Sequence, residues 1–128
     1  MGGISNDLTT EEIEHIAEAD DFHIAVLHED GKMYGTFTWI WSVAVDGKLY
    51  VRAYNGTNSR WYKSAMKQKA GKIKAAGIEK KVRFEPVVGS VNDKIDQAYR
   101  DKYSSSPYLG SMISDRAKAA TVQVFGLE

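Results

Sequence analysis

The side chains that could hold an anion are concentrated in one segment, LYVRAYNGTNSRWYKSAM, at residues 49–66. Arg52 can grip an oxyanion through two parallel hydrogen bonds. Tyr54 ends the strand that carries Arg52, and Asn55-Gly56-Thr57-Asn58 follow as a loop whose backbone N–H groups can point at a ligand. Ser59 then opens a helix, whose N-terminus favours negative charge by up to about 1 kcal/mol when exposed. Arg60 and Lys63 place two more cations on the first turn of that helix. Tyr50, Tyr54 and Trp61 flank the segment, and Trp39 and Trp41 precede it, so a planar ring also has surfaces to pack on. Each residue has a plainer role beside this one. Arg52 can stack on surface tyrosines, Ser59 can be a helix cap, and the tryptophans can be core or a dimer interface.

Other chemistries find no footing. There is no cysteine, which removes thiolate nucleophiles, thiolate metal sites and disulfides. His23 and His28 are five apart on an expected strand, hence on opposite faces, and His15 falls on a helix surface, so no metal site is expected. No nucleophile-elbow, P-loop or Rossmann glycine pattern occurs. Asp93, Asp96 and Asp101 read as helix solvation and capping rather than paired-acid catalysis. No catalytic residue can be named, and any redox chemistry would have to come from a cofactor.

The elements that must position the segment are legible from periodicity and turns. Thr9 with Glu12 has capping-box spacing and starts a helix over about 9–20. Phe22–Leu27 reads as a strand, closed by an Asp30-Gly31 turn. Alternation over Thr36–Val45 predicts one long strand with Phe37, Trp39, Trp41, Val43 and Val45 on one face. Asp46-Gly47 then makes a hairpin with Lys48–Tyr54, in which Leu49, Val51 and Ala53 face inward and Tyr50, Arg52 and Tyr54 outward. A short strand around Ile73, a strand over Val82–Val88 with Pro86 at an edge or bulge, a helix from Ser90 to Tyr103, a short helix around Leu109–Ile113 and a strand over Ala119–Phe125 complete the chain. Ser104–Pro107 reads as a helix breaker. Six strands joined by tight hairpins run antiparallel, which predicts an α+β fold: a small, at least partly closed barrel with flanking helices.

The 128 residues suit one domain, with the N-terminal helix at about 9–20 and barrel and helices over 22–125. Lysine plus arginine and aspartate plus glutamate balance at 17 each, but Met1–Gly31 holds nine acids and no Lys or Arg, while Arg60–Arg83 holds nine Lys or Arg and one acid. This describes either a basic helix facing an acidic one or a local positive field that attracts phosphate or carboxylate. The basic region is too narrow to favour nucleic acid. No apolar run is long enough to span a bilayer and the N-terminus lacks the pattern of a signal peptide, which fits a cytoplasmic protein.

The stretch IWSVAVDGKLYVRAYNGTNSRWYKSAMKQKAGKI, residues 40–73, resembles the flavin-type split β-barrel proteins, the superfamily of pyridoxamine phosphate oxidase and the deazaflavin-dependent nitroreductases. More closely, it is similar to an uncharacterised bacterial domain-of-unknown-function family grouped with them, and there the similarity extends through IDQAYRDKYSSSPY at 95–108. In the oxidases a strand, a Thr-containing loop, and a Ser and a basic residue opening a helix contact the FMN phosphate and ribityl chain. Thr57, Ser59 and Arg60 fall at similar places, with Arg52 on the preceding strand. The resemblance implies a six-stranded antiparallel split β-barrel, a homodimer, and FMN or a deazaflavin held between subunits. The oxidases' second basic cluster and their Asn-Pro after the helix have no counterpart, since Lys69-Ala70-Gly71 stands there. Three functions follow as alternatives: a flavin-dependent oxidoreductase, a non-enzymatic module binding another phosphorylated or carboxylated small molecule, or a cofactor-free dimerising domain.

Overall fold

A computed structural model describes residues 8–126; the first seven residues of the N-terminal stretch read against a signal peptide, and the final Leu127-Glu128, lie outside them. The first helix, α1 (Thr10–Glu18), starts as its sequence demands. Glu12 N–H donates to Thr9 Oγ1 at 3.1 Å and Thr9 N–H donates to Glu12 Oε1 at 3.0 Å. That hydrogen bond from Thr9, more than the Lys80 ammonium 3.3 Å away, holds the Glu12 carboxyl below its ordinary value of 4.5. Because the folded value is depressed, this contribution is complete above pH 4.5 and fades as pH falls through the lower folded value. Thr9→Ala should cost about 1 kcal/mol at neutral pH, read from chemical denaturation. A change near zero would show that the box contributes nothing.

Strands β1 (His23–Val26), β2 (Thr38–Trp39), β3 (Ser42–Val45), β4 (Lys48–Arg52), β5 (Ala70–Ala75), β6 (Ile78–Pro86) and β7 (Thr121–Gly126) form one antiparallel sheet in the order β2-β1-β5-β6-β7-β4-β3. The order itself forces curvature. β2 and β3 occupy opposite edges, yet only Ile40 and Trp41 separate them in the chain. Three Cα–Cα steps span at most roughly 10–11 Å, so the two edges must lie side by side and the sheet must roll into a half-barrel. Seven strands replace the six expected, because the continuous alternation of Thr36–Val45 is broken where the chain passes between edges. Ile40 N–H still donates to Phe22 O at 3.0 Å, in the register of the β1–β2 pairing, and the chain crosses to the other edge just beyond it.

The Asp46-Gly47 hairpin is present, with both residues at positive φ, and Ala76-Gly77 makes an equivalent turn between β5 and β6. β6 begins four residues earlier than Val82 and lies inside the sheet, between β5 and β7. Pro86 sits neither on an edge strand nor in a bulge; it ends the strand, where its missing N–H costs least.

Two cores result. Inside the curl, Leu49, Val51, Ile73, Val82, Phe84 and Val122 pack with Ile16 of α1 and Ala65 of α2 (Arg60–Gln68). Outside it, α3 (Val91–Lys102) lays Ile95 and Tyr99 against Tyr50, Val43 and Trp41, joined by Tyr103 and Met112. The β4 strand is therefore covered on both faces. The expected outward face of Tyr50 and Arg52 is buried, and only Tyr54, beyond the strand end, is exposed. Two short helices, α4 (Leu109–Met112) and α5 (Asp115–Lys118), lead from α3 to β7.

Candidate functional site

The first consequence of the second core concerns Arg52. It is wholly buried, and every nitrogen of its guanidinium is committed. Nε donates to Thr121 Oγ1 at 2.9 Å, Nη1 to Asp96 Oδ1 at 2.5 Å and Met112 O at 3.2 Å, and Nη2 to the backbone and side-chain oxygens of Asn92 at 3.3 and 3.1 Å. Lys118 Nζ lies 3.0 Å from the second Asp96 oxygen. Arg52 is thus the bolt joining β4, α3, α4 and β7, not an outward hand for phosphate. Asp96, expected to be a solvated helix residue, is its buried counter-ion.

Alongside this bolt lies a cleft of about 1340 Å³. One wall is α2, which turns Arg60, Trp61, Ser64, Lys67 and Gln68 toward it. These positions share a helical face, as spacings of three, four and seven residues require. Ser59 is the N-cap residue of α2, but its hydroxyl makes no capping hydrogen bond. It stands at the cleft with Asn55 and Tyr54. Neither Arg60 nor Lys63 has a carboxylate partner among the described residues, whereas Lys67 pairs with Glu29. The floor is apolar, from Ile24 and Val26 of β1 with Ile40.

The opposite wall is aromatic. Trp41 stacks on Tyr103 with ring centroids 3.9 Å apart and planes 4° from parallel. Trp39 is 48% exposed and donates its indole N–H to Asp20 O at 2.9 Å. Lys102 stands beside the stack, its Nζ donating to Ser42 O at 2.7 Å and reaching Ile16 O at 3.5 Å. Burial pulls its ammonium down to about 8, against the opposing pull of Asp20 and Asp21. Burial likewise raises the Tyr103 hydroxyl to about 12, against the opposing hydrogen bond that it accepts from Ser42 N–H at 3.2 Å. Tyr108 closes one end, meeting Tyr54 edge-on at 6.2 Å.

Of the residues expected at the site, Trp39, Trp41, Tyr54, Asn55, Ser59 and Arg60 are brought together around this cleft. Arg52 borders it with no donor to spare. Gly56 is buried under Arg116, Thr57 is exposed on a short 3₁₀ turn (Gly56–Asn58), and Lys63 lies on the solvent side of α2; none of these three lines the cleft. Tyr50 is sealed in the outer core. Lys102, Tyr103, Ser105, Ser106 and Tyr108 line the cleft but were not singled out from sequence. Their signal was the run Lys-Tyr-Ser-Ser-Ser-Pro-Tyr, whose helix-breaking composition masked a second role as a wall. Among the described residues, no group of three or more His, Asp or Glu could hold a metal ion, and no helix is long and apolar enough to cross a membrane. His23 lies on β1 but His28 lies beyond its end, so the two do not share a strand.

No curated protein sequence matches the chain. Solved structures share its fold, two of them as follows. A conserved hypothetical protein of Mycobacterium tuberculosis, Rv2991, superposes with a TM-score of 0.62 at 11% identity, over 99% of this chain and 85% of its own. An F420 reductase gives 0.59 at 16% identity, over 90% and 93%. At these identities both likenesses show a shared fold. Residues 12–124 match a family described as uncharacterised proteins conserved in bacteria (DUF2255), and the chain therefore belongs to that family.

Proposed function

We propose that the cleft binds FMN or a related flavin or deazaflavin in a homodimer, and that the protein is a flavin-dependent oxidoreductase. One observation carries this reading: an aromatic wall faces a helix N-terminus whose serine hydroxyl and arginine are uncommitted among the described residues, across a space the size of a nucleotide. Ligand pockets commonly measure roughly 300–1,000 Å³, so a flavin nucleotide fits within about 1340 Å³. Ser59, Arg60 and Asn55 would take the phosphate end, with Lys63 adding only its field. Trp39 and Trp41 would take the ring, and the exposure of Trp39 suits a surface completed by a second subunit. Arg52 drops out of the phosphate site, which is smaller than the sequence suggested. A bound flavin supplies the redox chemistry, while the chain binds, orients and excludes water. Likeness to an F420 reductase supports including the deazaflavin.

The test is titration of purified protein with FMN and with F420, followed by fluorescence. Micromolar or tighter binding of either is expected. Arg60→Ala should weaken FMN about tenfold, the scale of one charge-assisted hydrogen bond. A colourless protein indifferent to both would end the cofactor reading. The remaining choices would then be a module for another phosphorylated or carboxylated molecule, or a cofactor-free dimerising domain.

A further inference from the structure

The wall opposite α2 holds a cation that the phosphate end does not explain. Lys102 is half-buried, faces the cleft, and has no carboxylate within salt-bridge distance among the described residues. Its hydrogen bonds go to two main-chain carbonyls, Ser42 O and Ile16 O. An ammonium has three donors, and the contact at 3.5 Å is at the limit of a hydrogen bond. One donor direction is therefore available to a molecule in the cleft. The adjoining wall includes Trp41 and Tyr103, stacked on each other and each less than a tenth exposed. A partly desolvated cation beside an aromatic wall is suited to an aromatic ligand with acceptor oxygens on its edge.

We infer that Lys102 is the specificity-determining residue of the cleft, donating to the acceptor edge of a planar aromatic ligand seated against the Trp41–Tyr103 wall. This deepens the cofactor reading by assigning the ring end of the same site. For a flavin-type ring the acceptors are the carbonyl oxygens of its pyrimidine edge. The groups facing Lys102 set its charge. From the segment after α1 come Asp20 and Asp21; from β3 comes the Ser42 carbonyl; beside it in sequence is the Tyr103 ring, 5.3 Å away. The acids favour the ammonium and burial opposes it, with burial the larger effect. The cation needed for binding is therefore present below about pH 8 and is lost as pH rises through that value.

Three probes separate the two ends of the cleft: FMN, riboflavin (the same ring without phosphate) and salicylate, an aromatic carboxylate that stays ionised across the range. Binding is read by quenching of tryptophan fluorescence. Lys102→Met should weaken every probe that wild type binds by about ten- to a hundredfold. Arg60→Ala should weaken FMN alone. Salicylate affinity should fall as pH rises through about 8 in wild type, but stay level in Lys102→Arg, whose guanidinium does not titrate. The Arg variant keeps the charge, so this profile remains decisive even if the Met variant folds poorly. If salicylate binds through Lys102 while both flavins fail, the Lys102 assignment stands and the cofactor reading falls. If flavins bind Lys102→Met as tightly as wild type, the cofactor reading stands and the assignment falls. Wild type ignoring all three probes would also overturn the assignment.

Discussion

Arg52→Ala should lower the stability of the fold by about 3–5 kcal/mol, the scale found when one partner of a buried ion pair is removed. For a domain of this size, that is a fall in melting temperature on the order of 10 °C or more. The reason is what the guanidinium leaves behind. Asp96 stays buried with only Lys118, a partner on the protein edge, for compensation. Thr121 Oγ1, Asn92 and the Met112 carbonyl each lose a donor in the interior. An unpaired buried acceptor costs more than a made hydrogen bond contributes. Arg52→Met combined with Asp96→Leu should recover much of the loss, because it removes both charges and fills the space with apolar groups; Lys118 can then turn toward water. If Arg52→Ala melts within about 1 kcal/mol of wild type but abolishes flavin binding, the buried bolt is the wrong account. In that case the outward, phosphate-gripping Arg52 would be right after all.

That contrast shows where sequence reading stopped. The capping box of Thr9 and Glu12 and the Asp46-Gly47 hairpin depend on neighbours three residues apart or fewer, so local chemistry exposes them. The strand of Arg52 was placed correctly, and its alternation was real. Alternation says which side chains share a face, but not whether a second layer covers that face. The cover comes from α3, whose Asn92 and Asp96 are 40 and 44 residues away along the chain. Their i, i+4 spacing on one helical face was visible, as was that of Tyr99 and Tyr103. Nothing local tied those faces to Arg52 or Trp41. The break at Ile40-Trp41 was hidden for a related reason, since both strand pieces alternate in phase and only pairing with different edges separates them. The α2 end of the cleft was legible because it is one continuous segment. The aromatic end is assembled from β2, the Ile40-Trp41 link and the end of α3, and only its two tryptophans announced themselves.

Gly56→Ala should also be strongly damaging, and it tests how the loop before α2 is held. Gly56 has φ +70°, a region that costs other L-residues roughly 1–2 kcal/mol. A Cβ there would also meet Arg116 Cγ at 2.5 Å and Arg116 O at 2.8 Å. Overpacking of this kind typically adds about 1–3 kcal/mol, giving a total of about 2–5 kcal/mol. Gly47→Ala is the control: its φ is +75° but nothing lies within 4 Å of the added carbon, so only the conformational cost should appear. Arg116→Ala in the Gly56→Ala background should restore part of the difference, since it removes the side-chain clash and leaves the carbonyl one. The same contacts explain why the site should suffer. Arg116 Nε donates to Tyr54 O at 3.1 Å and its guanidinium lies 5.6 Å from the Tyr54 ring centre, while Ser59 N–H donates to Gly56 O at 3.1 Å. Pushing Arg116 and Gly56 apart therefore displaces Tyr54 and Ser59 together, both of them cleft residues. Gly56→Ala, measured well below its melting temperature, should bind FMN more weakly, and Gly47→Ala should bind it as wild type does. Equal melting temperatures for the two variants would mean that close packing against Arg116 does not hold the loop. The phosphate end of the cleft would then have to owe its shape to α2 alone.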